Sequence, residues 1–207
     1  GKTAPYVLML ARLGRVEEAV NEGLQALNDP SQFLALAKVL REQQELAAAL
    51  RVAERGLRAE GHKGALGAWL CDLAEGMGES GLALEAATVA FRAMPSMTAY
   101  QRVQELAGER WSEMREDLLA YLRRTSIYAG SQAQVDIFLH EGLLDDAIAA
   151  VEEGASYDLL ERVMDAVLEH RPAWVIENAR EQAERIIEPG QSKYYHHAVN
   201  WLDRVRK

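Results

Sequence analysis

The residues in this chain that invite a chemical reading are His196-His197, Asp136 with His140, and the carboxylate doublets Glu17-Glu18, Glu116-Asp117 and Glu152-Glu153. Adjacent histidines on a helix point about 100° apart, so they do not readily share one metal ion. Tyr194, His197, Ala198, Trp201, Leu202 and Val205 instead make a stripe at three- and four-residue steps, which predicts packing rather than ligation. Asp136 and His140 are four apart, close enough on one helix for the carboxylate to orient the imidazole and raise its pKa. No serine or cysteine nucleophile in a glycine-rich elbow accompanies them. Glycosidase-type acid/base work needs two carboxyls roughly 5 to 9 Å apart across a cleft, and neighbours in sequence do not imply that. There is no GxxxxGK[ST] or HExxH pattern, and the glycines, with Gly76, Gly78 and Gly81 in GxGxxG spacing included, read as turn residues rather than a phosphate loop.

Cys71 is the only cysteine, within the apolar run Ala68-Trp69-Leu70-Cys71. It can form neither an internal disulfide nor a multi-cysteine zinc site, and it reads as a buried, inert thiol compatible with a reducing compartment. The tryptophans Trp69, Trp111, Trp174 and Trp201 lie in or beside apolar helical positions, which predicts packing between helices. A stacking platform for single strands would want basic neighbours. Trp111 has Arg110 and Arg115, but Glu109, Glu113 and Glu116 surround it. The expectation is a non-enzymatic chain with no catalytic residue, no cofactor and no metal.

The elements that position these residues are helices. Ala, Leu, Glu, Arg and Gln dominate, and apolar residues recur at three- and four-residue steps: Val16, Val20, Leu24 and Leu27; Leu46, Leu50, Ala53 and Leu57; Leu159, Leu160, Val163, Val167 and Leu168. Each stripe is about one helix long and meets a breaker such as Gly14, Asp29-Pro30, Gly61, Gly78, Pro95, Gly108, Gly142, Gly154, Pro172 or Pro189-Gly190. Ser31, Ser96, Ser131, Ser156 and Ser192 stand where N-caps belong. Such short turns force consecutive helices antiparallel.

The pairs recur. Gly14, Gly78 and Gly142 each precede an alanine by five residues, and the slot falls at positions 19, 49, 83, 117, 147 and 179. A small residue there lets two helices cross closely. The next position is apolar at Val20, Leu50, Leu84, Leu118 and Ile148. Asp117 breaks the small-residue rule. Because one hairpin cannot bury its own apolar face, hairpins are expected to stack. The predicted fold is all-α: antiparallel helix pairs stacked as a right-handed α-solenoid. It forms a single domain over 1–207, with units 1–30, 31–61, 62–95, 96–128, 129–154 and 155–190, and 191–207 opens a further one.

The run Leu13-Gly14-Arg15-Val16-Glu17-Glu18-Ala19, closed by Asp29-Pro30, resembles a tetratricopeptide repeat. Over more of the chain, Ala65 to Arg124 and Ser192-Lys193-Tyr194-Tyr195-His196-His197-Ala198-Val199-Asn200-Trp201-Leu202 resemble the helical-repeat C-terminal region of bacterial SWIM zinc finger proteins. That family's finger needs a Cys-x-Cys pair and a later Cys-x-His. Neither is present, so no zinc-ligand role carries over. The resemblance implies the helical-repeat portion of a larger bacterial protein whose family is supposed to bind nucleic acid or protein. A start at Gly1 and a helical pattern running to the last residues fit a segment of something longer.

In a solenoid of this type the first helix of each pair lines the concave groove. That geometry directs Lys38, Arg41, Asp72, Glu75, Arg102, Gln132, Asp136 and His140 to the groove. Their mixed charge suits a protein or peptide segment carrying both signs, or another protomer in a homo-oligomer. The net charge is −9, and Glu141 to Glu161 holds seven acids and no base. Such a face repels a phosphate backbone, so nucleic-acid binding is disfavoured for this segment. No apolar run approaches the roughly 20 residues a membrane span needs, and no signal peptide is visible. The expected setting is a scaffold in the bacterial cytoplasm.

Overall fold

The computed structural model describes residues 4–125, 131–152 and 154–187, together with 199 and 203. Their secondary structure is helical throughout, with no strand among the described residues. The helices are α1 (Ala4–Arg12), α2 (Val16–Ala26), α3 (Pro30–Glu42), α4 (Leu46–Gly56), α5 (Gly64–Gly76), α6 (Ser80–Ala93), α7 (Met97–Ala107), α8 (Trp111–Arg124), α9 (Gln132–His140), α10 (Leu144–Glu152), α11 (Tyr157–Val167) and α12 (Pro172–Ile187). No helix among the described residues is long and apolar enough to cross a membrane. The contacts divide the chain into two compact units, Gly1–Thr125 and Ser126–Lys207.

Helix starts follow side-chain chemistry. Ser96, Ser131 and Ser156 cap α7, α9 and α11 by accepting the N–H of Ala99 at 3.0 Å, Gln134 at 3.3 Å and Leu159 at 3.4 Å. Ser31, expected as a cap, is not one. The Asp29 carboxylate takes that role for α3, accepting the Ser31 N–H at 2.8 Å and the Ser31 hydroxyl, with Pro30 in the first turn. Those bonds hold the Asp29 carboxyl below its ordinary pKa, the Ser31 hydroxyl being the largest cause. Ser192 lies outside the described residues, as do His196 and the stripe of Tyr194, His197, Ala198, Trp201, Leu202 and Val205.

Four hairpins turn in the same way. Gly14, Gln44, Gly78 and Gly142 have φ of 75°, 64°, 76° and 69°. Each donates its N–H three residues back, to Ala11, Arg41, Glu75 and Leu139. The following residue donates five back, to Leu10, Leu40, Ala74 and Phe138. This is a Schellman closure, which satisfies the last carbonyls of the first helix. The next residue in three of them, Arg15, Glu45 and Glu79, has φ/ψ of −83°/61°, −85°/62° and −86°/67°. Its carbonyl receives the N–H of the slot alanine at 2.9 Å in all three (Ala19, Ala49 and Ala83). Ala19, Ala49, Ala83, Ala147 and Ala179 are fully buried, whereas Asp117 is exposed. The α7–α8 connection differs: it passes through a 3-10 turn at Gly108–Arg110, and the buried residues of α8 are Leu118, Leu119 and Leu122.

In the first unit α1 packs on α2, α3 on α4 and α5 on α6, while α1 also meets α3 and α3 meets α5. The core between them holds Val7, Leu10, Phe33, Leu36, Leu40, Leu70 and Phe91, all fully buried. Each large side chain so buried contributes about 1.5–3 kcal/mol. α7 packs chiefly on α6. There, Phe91, Tyr100 and Trp111 form an aromatic chain with centroids 5.8 and 5.2 Å apart. In the second unit α9 pairs with α10, α11 packs on both, and α12 meets α11. Val135, Ile137, Phe138, Val163, Met164, Val167 and Val175 close that core.

Candidate functional site

Within the first unit, polar residues of α3, α5 and α7 come together on one side. Lys38 and Arg41, one turn apart on α3, are both exposed. The Arg41 guanidinium lies 5.7 Å from the centre of the Trp69 ring on α5, in a cation–π contact. Trp69 is half-buried, its ring bridging two hairpins as the packing expectation required. Asp72 and Glu75 follow Trp69 on α5, and Asp72 shares a shallow recess with Arg41, Gln44 and Met77.

Arg102, on α7, completes the row. Its guanidinium is ion-paired to Glu75, with Asp72 and Glu105 each at 3.6 Å. Only 31% of the Arg102 side chain is exposed, so the group is more constrained than an ordinary surface pair. The Glu75 hydrogen bond pushes its pKa further up, against a smaller opposing effect of burial. Beneath it, Cys71 is 2% exposed, and burial pushes its thiol up. That is the buried, poorly nucleophilic thiol the sequence implied. Five of the eight predicted groove residues (Lys38, Arg41, Asp72, Glu75 and Arg102) therefore share one face of the first unit. Trp69, which lies beside Lys38 and Arg41 among them, reads from sequence only as packing.

The other three lie on α9 in the second unit. Gln132 and His140 are exposed at its two ends. Asp136 is half-buried and ion-paired to Arg162 on α11, so the carboxylate is engaged across helices rather than with His140. Nearby, Asp145 accepts two bonds from Arg171, at 3.0 and 3.1 Å, and Glu152 accepts the Trp174 indole N–H at 2.9 Å. These contacts staple α10 to the start of α12. The carboxylate doublets Glu17-Glu18 and Glu116-Asp117 are not buried, and Arg15 pairs with Glu18 and Arg115 with Glu116. Glu153 lies outside the described residues. Among the described residues no group of three or more His, Cys, Asp or Glu side chains is arranged to hold a metal ion.

The arrangement offers a surface of mixed charge, in which Arg41 lies over the Trp69 ring and Arg102 is partnered by Glu75, Asp72 and Glu105. No protein-family model matches the chain, and no curated protein matches it significantly.

Proposed function

We propose that this chain is a non-enzymatic protein-interaction scaffold built from tetratricopeptide-like helix pairs stacked as a right-handed α-solenoid. Its recognition surface is the α3–α5–α7 face carrying Lys38, Arg41, Trp69, Asp72, Glu75 and Arg102. The observation that carries the reading is the recurrence of one turn at Gly14, Gln44, Gly78 and Gly142, each followed five residues later by a buried alanine. A protein that repeats a packing unit at this fidelity selects for an extended surface rather than a single reaction centre. The contacts of α1 with α3 and α3 with α5 support first helices standing side by side. By resemblance of Ala65 to Arg124, the parent is a bacterial, cytoplasmic SWIM zinc finger protein, with this chain as its helical-repeat part.

The partner is a protein or peptide segment of mixed charge, or a second protomer. Reversing charge in the Lys38→Glu/Arg41→Glu double variant should reduce capture of partners in a pull-down at least about tenfold, since two exposed contacts of roughly 1 kcal/mol each are inverted. Undiminished capture by a folded variant would remove this face from consideration. A second reading, an accessory module of a nucleic-acid-binding zinc finger protein, has the resemblance alone behind it. A gel shift at low salt with this chain would favour it, because phosphate contacts are strongest there.

A further inference from the structure

Where α7 leans on α6, it leaves a cavity of about 410 Å³ against α5. One wall is the Gly64, Ala68 and Cys71 face of α5; the second is Ala87, Ala90 and Met94; the third is α7. The small side chains leave the space unfilled, and its walls are mainly apolar. Met94 stands at the edge with 62% of its surface exposed. The volume lies in the lower part of the range of small-molecule sites, about 300–1,000 Å³, whose walls are typically apolar with a few placed polar groups.

The charged groups are Asp72 from α5 and Arg102 and Glu105 from α7, and Ser96, Thr98 and Gln101 add uncharged polar atoms to the lining. Asp72 and Glu105 flank the guanidinium from opposite walls, each 3.6 Å away, while Glu75 holds its other side. One cation is thus shared by three carboxylates; of these Asp72 and Glu105 line the cavity with Arg102, which leaves the lining one negative charge in excess, with Glu75 just outside it. The Asp72 and Glu105 side chains are 76% and 69% exposed and keep free acceptor capacity. An anionic ligand is repelled there, and a neutral apolar one leaves the charge uncompensated.

We propose that this cavity binds a small cationic amphiphile: an aliphatic or aromatic body seated against Ala68, Cys71 and Met94, with one ammonium group on the exposed carboxylate of Asp72 or Glu105, on the side that Arg102 leaves free. The site shares Asp72 and Arg102 with the proposed recognition surface but not Lys38, Arg41 or Trp69, and it does not depend on the scaffold reading.

The 207-residue chain carrying methyl-labelled methionine is titrated with n-octylamine, octan-1-ol and octanoate, and the methyl resonances are followed by NMR. Octylamine should move the Met94 methyl saturably, with Met9 and Met164 unmoved, and bind about tenfold tighter than octanoate, with the alcohol between. High salt should narrow that difference. Ala68→Phe, which fills the space from an exposed helix position, should abolish the Met94 response. Asp72→Asn/Glu105→Gln, which leaves the cavity open, should bring the amine down to the affinity of the alcohol, and this variant decides the matter if Ala68→Phe fails to fold. The proposal is overturned by no Met94 shift at millimolar amine, by equal affinity for amine and octanoate, or by shifts spread over all methionines. It is also overturned if a blocked Lys-Leu-Lys peptide moves Met94 and octylamine does not, which would assign the cavity to a protein partner.

Discussion

Gln44 occupies a position that its three counterparts fill with glycine. Its φ of 64° lies in the left-handed region, where a Cβ crowds the following carbonyl at a cost of about 1–2 kcal/mol. The Schellman closure around it is nevertheless complete, with Gln44 N–H to Arg41 at 2.9 Å and Glu45 N–H to Leu40 at 2.9 Å. The packing of α3 on α4 therefore holds a residue where its own preference would not put it. Gln44→Gly removes the strain but gives the unfolded chain more freedom, worth about 0.5–1 kcal/mol in the other direction. The net expectation is a gain of about 0.5 kcal/mol in urea unfolding with an unchanged slope, and Gly78→Gln should lose a similar amount. Destabilisation by Gln44→Gly would mean that the glutamine side chain makes a contribution beyond its backbone geometry.

At the scale of the helix, α5 contains glycines with opposite duties. A Cβ at Gly67 would stand 2.8 Å from the Ala86 carbonyl oxygen and 3.0 Å from the Ala90 nitrogen, both backbone atoms of α6. The close α5–α6 pairing requires the missing side chain, and neither backbone atom can rotate away. Gly76, at the end of the same helix, has nothing within 4 Å. Gly67→Ala should destabilise by about 1–3 kcal/mol despite the better helix propensity of alanine, because two helices have to separate. Gly76→Ala should be neutral or stabilising by up to about 1 kcal/mol. Equal effects in chemical denaturation would show that the α5–α6 spacing is softer than its contacts imply.

The same helices show what the sequence carries and what it hides. Gly14, Gly78 and Gly142 announce their turns because no other residue is at ease at positive φ, and the alanines five places on mark the crossings. Gln44 follows the geometry without the glycine, so only the spacing finds it. Asp117 sits where α7 and α8 abandon the shared turn for a 3-10 connection, and a fixed period cannot anticipate that change. The Arg102 cluster was half legible. The period put Asp72, Glu75 and Arg102 on first helices, but their joining depends on α7 coming within reach of α5. The cavity beside it was not legible at all, since Ala68, Ala87 and Ala90 read as good helix formers and the space between them exists only after three helices meet.

Across the whole molecule, charge is divided unevenly between the two compact units. Residues 1–125 hold 15 basic and 17 acidic side chains, a net of −2, whereas residues 126–207 hold 8 and 15, a net of −7, which together give the −9 of the chain. Self-repulsion opposes compaction only where charge of one sign accumulates, and salt screens it over about 10 Å at 0.1 M. The first unit has its own fully buried core, from Val7 to Leu122, and ion pairs of both signs on its surface. Residues 1–125 produced alone should therefore unfold cooperatively in urea, with a midpoint that hardly changes between 20 and about 500 mM salt. The full chain should show a salt-dependent component absent from the shorter one, stabilised as repulsion among the acids of the second unit is screened. A shortened chain that binds hydrophobic dye and melts without cooperativity would mean that the first unit depends on residues beyond Thr125. A full chain indifferent to salt would mean that pairs such as Asp136–Arg162 and Asp145–Arg171 already neutralise the acidic unit from within.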